Sequence, residues 1–495
     1  MKNFIFIAFM VLEIGVLAQI PDFKRDNVWI TPKSIIDFNI SSPLPQLDTN
    51  ISLFIRFSNS SVSDTSGDLQ FYTNGYKIMN WKHTLMENGD SLNYGTNMFY
   101  AQNNTGSSNG AIILTKPGSL NQYYVFHSSL EYDATYLYSY YCPWLGYTEV
   151  DMSANNGEGK VIEKNIRALE DTLQLSALTA CRHANGRDWW ILIRKMYGNH
   201  FYKVVVTPSG VSVVGEQIIG QGFEDGMGQA VFTPDGSKYI ICRRSANNQR
   251  VYYNIYGFNR CTGELSNPQQ GDFSMNTSAV GCAVSPNSRY LYMGLGGWKV
   301  NQYDLTASDI ISTQQTVAEW SSWVDSAGNG YGLGFMALAP DGKIYISSPG
   351  SSYYLSTIEN PDSGGLTCNV LHHNIQLFTY YGLSMPTLPD YRLGVEVGSG
   401  CDTIGSVGIP HPISAKSAVK VYPNPANETL HLHSENLQGN ASISLCNLLG
   451  QELKNDIWQN TRIEKELTLT ALPQGVYYLR ILAGGKRFTY KIMKE

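Results

Sequence analysis

Four charged residues in two neighbouring stretches of the chain are candidates for chemistry. Glu224 and Asp225 lie in the glycine-rich stretch 222–229, and Arg243 and Arg244 follow a run of apolar residues. Carboxylates beside guanidinium groups can bind the polar groups of a sugar or peptide, and in a hydrolase they can serve as acid and base. The favoured interpretation is that the charges are solvated and that the glycines serve only close packing between loops.

The histidines offer two further arrangements that resemble metal sites. His372 and His373 are adjacent, so on a strand their side chains point to opposite faces and cannot both ligate one metal ion. His431 and His433 do share a strand face, but an exposed sheet face explains them more simply. The sequence therefore predicts no metal site.

His183 belongs to a polar cluster beside large aromatic residues. Arg182, Arg187 and Asp188 surround it in the sequence, and two tryptophans follow. The cluster is either a ligand site or a structural hairpin with a buried tryptophan, and the hairpin is the favoured interpretation. The chain has no glycine-rich phosphate loop and no His-Glu-x-x-His helix, so the sequence predicts no cofactor and favours a protein without catalysis.

Composition indicates a β-rich protein. The chain has 46 glycines, 32 tyrosines, 9 tryptophans and only 15% charged residues, which favours turns and aromatic strands over amphipathic helices. The formal net charge is −6. Nothing therefore attracts a nucleic acid electrostatically, and we expect no such partner.

The 8 cysteines are dispersed and follow no compact framework spacing. In an oxidising compartment some of them can pair. Cys242 and Cys261 are the favoured pair, because they are expected on neighbouring strands of one sheet. The other six are interpreted as buried thiols: Cys142, Cys181, Cys282, Cys368, Cys401 and Cys446.

A repeated phrase carries the prediction of the fold. Stretches 231–242, 283–293 and 337–347 each contain a short apolar strand, a turn that begins with proline, and a second apolar or aromatic strand. The three prolines are 52 and 54 residues apart, which is typical of propeller blades. Small sheets of this kind must bury their faces against neighbours around an axis. With three weaker copies upstream, the sequence predicts an all-β propeller of six blades, with seven as the alternative.

The repeats also set the predicted domain boundaries. The propeller is expected to span residues 19–393, with stretch 34–40 supplying the outer strand of the last blade. Residues 394–418 are rich in glycine, serine and proline, which is typical of a linker. Residues 419–495 then show alternating apolar residues between turns, which predicts a small immunoglobulin-like β-sandwich.

The N-terminus has the pattern of a signal peptide. A lysine near Met1 precedes an apolar run that is too short to anchor the chain in a bilayer. Small residues then lead to Ala18. We therefore expect residues 1–18 to be a signal peptide, with cleavage between Ala18 and Gln19.

The end of the chain resembles the C-terminal sorting domain of proteins exported by the type IX secretion system of Gram-negative bacteria. The resemblance rests on three phrases in residues 419–495 and on these positions: Tyr422, Pro423, Asn424, Pro425, Gly450, Gly475 and Tyr477. It implies recognition by the type IX machinery, removal by a sortase-like peptidase, and often a lipopolysaccharide anchor in exchange. The expected location is extracellular or on the outer-membrane surface, reached through the periplasm.

The middle of the chain resembles secreted, propeller-containing proteins with no assigned chemistry, through stretches 69–75, 183–190 and 389–394. The repeated turns also resemble blades of lactonase-like propellers. The preferred function is a non-catalytic binding protein for a glycan, peptide or protein, with its site on the loop face of the propeller. The alternative is a secreted hydrolase or lactonase-like enzyme that uses Glu224, Asp225, Arg243 and Arg244.

Overall fold

The chain forms two compact units, Met1–Gly405 and Ser406–Glu495. The computed structural model describes residues 23–93, 109–133, 135, 140–222, 226–245, 249–274, 280–320, 322–324, 332–350, 352–382, 384–402, 419–434, 440–447, 452–459, 464–483 and 486–495. The predicted cleavage site between Ala18 and Gln19 lies outside these residues and stays a prediction.

The first unit is built from antiparallel sheets in which strands that follow one another in the chain lie side by side. The first three sheets contain β1 (Val28–Thr31), β2 (Ser34–Asp37) and β3 (Gln46–Leu47); β4 (Ser60–Ser63), β5 (Leu69–Thr73) and β6 (Ile78–Asn80); and β7 (Ala111–Thr115), β8 (Gln122–Ser128), β9 (Glu131–Tyr132), β10 (Tyr140–Asp151) and β11 (Lys160–Leu173).

The remaining sheets of the first unit each have four strands. They contain β12 (Ala180–Arg182), β13 (Trp189–Arg194), β14 (His200–Thr207) and β15 (Gly210–Ile218); β16 (Gly228–Phe232), β17 (Lys238–Arg244), β18 (Arg250–Asn259) and β19 (Glu264–Ser274); β20 (Val280–Val284), β21 (Tyr290–Leu295), β22 (Lys299–Asp304) and β23 (Gln315–Glu319); and β24 (Met336–Leu338), β25 (Ile344–Ile346), β26 (Ser352–Ile358) and β27 (Val370–Tyr381). Short 3-10 turns lie at Asn155–Gly157, Ile311–Thr313 and Gly365–Cys368.

The repeated turns lie where the sequence predicts them, between the first and second strands of three sheets. In the first copy, the Asp235 carboxylate accepts hydrogen bonds from the Thr233 hydroxyl (2.6 Å) and the Ser237 amide (2.9 Å). Gly236 has a φ of 71°, which a residue with a side chain adopts only with strain. Asp235 therefore holds the turn together, as its pattern indicated.

The first strands of the sheets pack side by side around a common centre. The Gln229 side chain on β16 donates to the Met336 carbonyl (2.5 Å) and accepts from the Met336 amide (3.2 Å) and the Cys282 amide (3.1 Å). One buried amide thus joins β16, β20 and β24. Together with contacts of β12 with β16, β4 with β7 and β1 with β4, this makes the first unit an all-β, propeller-like fold.

The described part of the first unit contains seven sheets. Stretch 34–40, which we expected on the edge of the last sheet, instead contributes β2 to a sheet of its own with β1 and β3. A tight turn at Pro32 and Lys33 pairs β1 with β2, and the sequence analysis missed this hairpin. The last sheet packs on this first one, with the rings of Trp29 and Tyr345 5.5 Å apart.

The disulfide joins Cys261 to Cys401, with their Cα atoms 5.5 Å apart. The predicted pairing of Cys242 with Cys261 is therefore wrong. Cys261 lies in the turn after β18, at the end of the sheet where Gly257 pairs with Lys238. Cys242 lies four residues further along β17, or about 13 Å away at the usual strand rise. Cys401 was predicted to be a buried thiol but forms the disulfide instead. The remaining six cysteines are buried, free thiols: Cys142, Cys181, Cys242, Cys282, Cys368 and Cys446.

The disulfide also moves the predicted domain boundary. Residues 394–402, predicted as the start of a linker, are held to the first unit. The Glu396 amide donates to the Ala184 carbonyl (2.8 Å), and Arg260 donates to the Gly394 carbonyl. Residues 403–418 lie outside the described part of the chain.

The second unit has two antiparallel sheets that share one hydrophobic core. They contain β28 (Lys420–Tyr422), β29 (Thr429–His433) and β32 (Lys465–Thr468); and β30 (Ala441–Cys446), β31 (Glu452–Trp458), β33 (Gly475–Ala483) and β34 (Lys486–Lys494). Alternate residues of β29, such as Leu430 and Leu432, are buried in this core, as their spacing predicted. Among the described residues of the whole chain, no helix is long and apolar enough to cross a membrane.

A buried histidine of the first unit makes the stability of the fold sensitive to acid. His127 bonds to the side-chain oxygen Oδ1 of Asn93 (2.6 Å) and to the Thr148 hydroxyl (3.0 Å), and complete burial lowers its pKa from 6.5 to about 3. In the unfolded chain, His127 binds a proton below about pH 6.5, whereas in the folded chain it stays neutral until the pH approaches its lowered pKa. The free energy of unfolding should therefore fall by up to about 1.4 kcal/mol per pH unit between the two pKa values.

Denaturant unfolding of the wild type and of His127→Gln, measured from neutral pH down to about pH 4, checks this expectation. Carboxylates titrate in both proteins, so the informative quantity is the difference between the two curves. We expect the wild type to lose more stability than the variant as the pH falls. Parallel curves would contradict a buried, neutral His127.

Candidate functional site

The site is located at what we call the loop end of the first unit, the end where the first strands of the sheets begin. Gln229 near the start of β16 bonds to residues near the starts of β20 and β24, so these strands begin together. At this end, Gly228 pairs with Arg243 and Val280 pairs with Leu295. The turns that join second and third strands therefore lie at the loop end.

The predicted charged site falls at this end, but Arg243 is completely buried. Its guanidinium donates to the carbonyls of Gly226 (3.2 Å) and Ser176 (2.9 Å), and so ties together the segments that lead into β16 and β12. Arg244 is also buried. Glu224 and Asp225 lie outside the described residues. The four-residue site stays a prediction, and the described contacts of Arg243 are those of a structural residue.

A group of aromatic side chains lies at the loop end, and we call it the aromatic surface. Its exposed members are Trp298 after β21 and Trp320 and Trp323 after β23. Its part-buried members are Tyr354 on β26 and His373 on β27. Trp298 is 52% exposed, and Trp320 and Trp323 are each 38% exposed. Several large apolar rings exposed next to one another, rather than singly, point to an interaction site.

The rings of the aromatic surface are held by specific contacts. The Trp320 amide donates to the Trp298 carbonyl (2.7 Å), and the two rings lie 5.5 Å apart at 82°. Trp323 stacks on His373 with 4.4 Å between ring centroids, and it meets the ring of Tyr354 nearly at a right angle at 5.4 Å. The tryptophans are therefore oriented while part of each ring remains exposed.

Glycines bring the loops together beside the aromatic surface. A Cβ atom on Gly332 would lie 2.3 Å from Gly297 Cα, and one on Gly334 would lie 3.0 Å from the Pro349 nitrogen. Only glycine allows the turn before Trp298 to approach the neighbouring loop so closely. This agrees with the favoured interpretation of the glycine-rich loops, which was close packing.

The histidines beside the aromatic surface are uncharged at neutral pH. Burial lowers the pKa of His372 and of His373, and the neighbouring His372 lowers that of His373 further. In the described part of the chain, no three or more His, Cys, Asp or Glu side chains are grouped so that they could hold a metal ion. His372 and His373 therefore add no positive charge to the aromatic surface at neutral pH.

The polar cluster at His183 forms a hairpin turn. The His183 ring stacks on Trp190 with 5.4 Å between ring centroids, and its Nδ1 accepts from the Asn185 amide (3.1 Å). Arg187 pairs with Asp188 at 2.7 Å, and Asp188 in turn accepts from the Asn185 side chain (2.8 Å). These contacts match the structural interpretation of the cluster.

The sorting positions in the second unit mostly stabilise its fold. Asn424 donates to the Lys491 carbonyl (2.7 Å) and accepts from the Met493 amide (2.9 Å), which ties the Pro423–Pro425 turn to β34. Tyr477 is buried, and its hydroxyl donates to the Pro473 carbonyl (2.7 Å).

The other three sorting positions named in the sequence differ in their environments. The Tyr422 hydroxyl donates to Glu464 (2.7 Å). Because the Tyr422 ring is exposed, a partner can reach it. Gly475 begins β33, and Gly450 lies outside the described residues. His431 stacks on Tyr422 with 5.7 Å between ring centroids, and its Nδ1 lies 3.3 Å from Glu464.

Residues 420–495 match the family described as "Secretion system C-terminal sorting domain". The match supports the type IX sorting signal that the sequence indicated. It implies that the chain is secreted to the extracellular space or the cell surface and interacts with the type IX machinery. No curated protein matches the chain as a whole.

Solved structures similar to this chain are distant. A functionally unknown protein from Desulfotomaculum acetoxidans is 15% identical over 73% of this chain and 98% of its own, with a TM-score of 0.38. A quinonprotein alcohol dehydrogenase-like protein from Bacteroides thetaiotaomicron is 13% identical over 74% and 77%, with a TM-score of 0.36. A putative 6-phosphogluconolactonase from Bacteroides uniformis is 11% identical over 80% and 94%, with a TM-score of 0.34. Similarities this weak carry no argument about activity.

The tryptophans of the aromatic surface were not among the predicted site residues. Trp298 ends the glycine-rich stretch 294–298. A tryptophan directly after two glycines in a turn was a usable signal, because a turn cannot bury so large a ring by itself. The pairing of Trp298 with Trp320, and that of Trp323 with His373, depends on loop packing and had no signal in the sequence.

Proposed function

We propose that this chain is a non-catalytic binding protein, exported by the type IX secretion system, whose aromatic surface recognises a glycan outside the cell. The observation that carries the proposal is the set of three oriented tryptophans exposed at the loop end. The sorting domain supports it by implying an extracellular or cell-surface location, where glycans are abundant.

A sugar ring fits the chemistry of this surface. A pyranose presents a face of C–H groups that packs on an aromatic ring, while its hydroxyls need hydrogen-bond partners at the rim. Tryptophan supplies both a large apolar face and an N–H donor. The nearby histidines are uncharged at neutral pH, which favours a neutral glycan over an anionic one. A peptide or a protein is the other partner class, and the experiment below separates them.

We further propose that the first unit, from residue 19 onwards, is a seven-bladed β-propeller in which each described sheet is one blade. Packing of the last sheet on the first supports a closed ring, because closure removes an exposed sheet edge. The second unit is proposed to be an immunoglobulin-like sandwich. A sortase-like peptidase is proposed to remove this unit after export, often in exchange for a lipopolysaccharide anchor on the rest of the chain.

The alternative of a hydrolase or lactonase-like enzyme gains no support from the described contacts. Its proposed residues are Glu224, Asp225, Arg243 and Arg244. The Arg243 guanidinium is buried and bonded to main-chain carbonyls, so it is poorly placed to meet a substrate.

Binding of the purified protein to an array of neutral and charged glycans tests the proposal. We expect at least one neutral glycan to bind, and replacing Trp298 or Trp320 by alanine should weaken its binding by about tenfold or more, as for central aromatic anchors of interfaces. Titration calorimetry with the selected glycan gives the affinities.

Trp81→Ala is the matched control, because Trp81 is 44% exposed but belongs to another sheet. It should leave the affinity unchanged. Binding to a protein or peptide array with none to glycans would replace the glycan by the other partner class. Equal glycan affinity in the wild type and in a Trp298→Ala, Trp320→Ala double variant would exclude the aromatic surface.

A further inference from the structure

The second unit exposes large apolar side chains on one of its two sheets. In the four-stranded sheet, Ile443 on β30 and Leu479 on β33 are buried in the core. Four apolar side chains of the same sheet are between 39% and 58% exposed: Leu453, Ile457, Leu482 and Met493. An antiparallel sheet that is covered on one side usually turns polar residues to water on the other. The open side of this sheet therefore departs from the usual pattern.

Strand pairing places two of these side chains close together on the open side. Ser442 on β30 pairs with Ile457 on β31 and with Leu482 on β33. Neighbouring strands lie about 4.8 Å apart, so the two large apolar side chains stand on either side of a small serine. Further along the sheet, Val476 pairs with Met493. We call the open side of β31, β30, β33 and β34 the docking face.

The charges of the docking face are mostly positive. Arg480 on β33 and Lys491 on β34 are exposed on it. By strand pairing, Arg487 and Glu452 occupy the same face and add one charge of each sign. Three cations and one carboxylate therefore accompany the apolar side chains. A partner with carboxylates would complement this surface.

The sorting positions named in the sequence leave the recognition surface unassigned. The Asn424 side chain bonds to β34 and Tyr477 is buried, so both residues shape the domain and are poorly placed to contact a partner. A partner of the folded domain must therefore bind an exposed surface. Neighbouring apolar residues that are exposed to water mark such surfaces, and arginine is enriched in protein interfaces. The docking face has both properties.

We propose that the docking face binds a component of the type IX secretion machinery whose own surface is apolar with carboxylates at its rim. The apolar contact covers Ile457 and Leu482, while Arg480 and Lys491 pair with the carboxylates. The proposed removal of this unit after export supports the assignment, because the unit then meets its partners during export and not afterwards. The inference rests on the proposed export route and is independent of the glycan surface.

The test uses the full-length chain in a bacterium that carries the type IX machinery. Ile457→Glu places a carboxylate opposite those of the partner, so the secreted amount should fall about tenfold or more and folded protein should accumulate in the periplasm. Thr468→Glu is the matched control, because it makes the same change at an exposed position of the three-stranded sheet. It should be secreted as the wild type is. Immunoblots of cell fractions measure both.

A photo-cross-linking residue in place of Leu482 covers the case in which Ile457→Glu fails to fold, which protease resistance and thermal unfolding would reveal. Illumination during export should yield an adduct with a type IX component, identified by mass spectrometry. The same residue in place of Glu466, on the other sheet, should yield none. Wild-type secretion of folded Ile457→Glu would overturn the proposal. So would equal adducts from both positions, no adduct from Leu482, or an adduct with a second copy of this chain alone.

Deletion of residues 419–495 separates this proposal from the export route itself. If the deletion leaves secretion unchanged, the route fails and the docking face fails with it. If the deletion stops secretion and folded Ile457→Glu is still secreted normally, the route stands and the docking face alone is wrong.

Discussion

Removing residues 419–495 should trap the protein in the periplasm and reduce its amount outside the cell to background. The sorting domain lies within these residues, and its family match implies that the type IX machinery acts on it. The first unit should still fold, because its sheets, its cores and the Cys261–Cys401 disulfide all precede the deletion. Immunoblots of periplasmic, surface and medium fractions measure the distribution.

The matched control is the full-length chain with Glu466→Gln, a change at an exposed position of the sorting domain. It should be secreted at wild-type levels. Protease resistance of the truncated protein, and its mobility on non-reducing gels, report whether the first unit has folded. Normal secretion of a folded, truncated chain would contradict the role of the tail. An unfolded truncated chain would contradict the independence of the first unit.

Breaking the Cys261–Cys401 disulfide should have the largest effect on stability. The bond closes a loop with a sequence separation of 140 residues, so it restricts the unfolded chain strongly. Replacing Cys401 by serine should lower the free energy of unfolding of the first unit by about 2–5 kcal/mol. It should also release residues 394–402 from the turn at Cys261, which faster proteolysis of that segment would reveal.

Reduction supplies the control for this prediction. A reductant should lower the unfolding temperature of the wild type towards that of Cys401→Ser and should not change the variant. Cys261→Ser and the double variant should match the single variant, because all three lose the same bond. A reductant that leaves the wild type unchanged, or a mapped disulfide between Cys242 and Cys261, would contradict the pairing.

Much of the architecture was predictable because it depends on short stretches of sequence. The turns at Pro234, Pro286 and Pro340 combine a fixed φ with residues that hold a tight turn, so each predicted a hairpin without any distant contact. The spacing of Leu430 and Leu432 likewise predicted one buried face of a strand. The first sheet was missed because β1 and β2 are joined by a Pro-Lys turn that resembles none of the repeated phrases.

The candidate sites were less predictable than the fold. Nothing in the sequence indicated that Arg243 would be buried. Its guanidinium bonds to Ser176, which is distant in the chain, and to Gly226, which precedes the neighbouring strand β16. Trp298 gave a local signal, but its pairing with Trp320 depends on the register in which β22 pairs with β23. Nothing near Asp26 in the sequence indicated that Arg392, from the far end of the first unit, would bind it.

The sequence by itself determined the all-β repeats, their turns and the sorting tail, because these features follow from residue types a few positions apart. Only the tertiary structure decided the number of sheets, the disulfide partner of Cys261, the exposure of the tryptophans and the ion pair of Asp26 with Arg392. The physical reason is that these depend on which surfaces pack together. Packing brings together residues hundreds of positions apart, and neither periodicity nor local propensity carries that information.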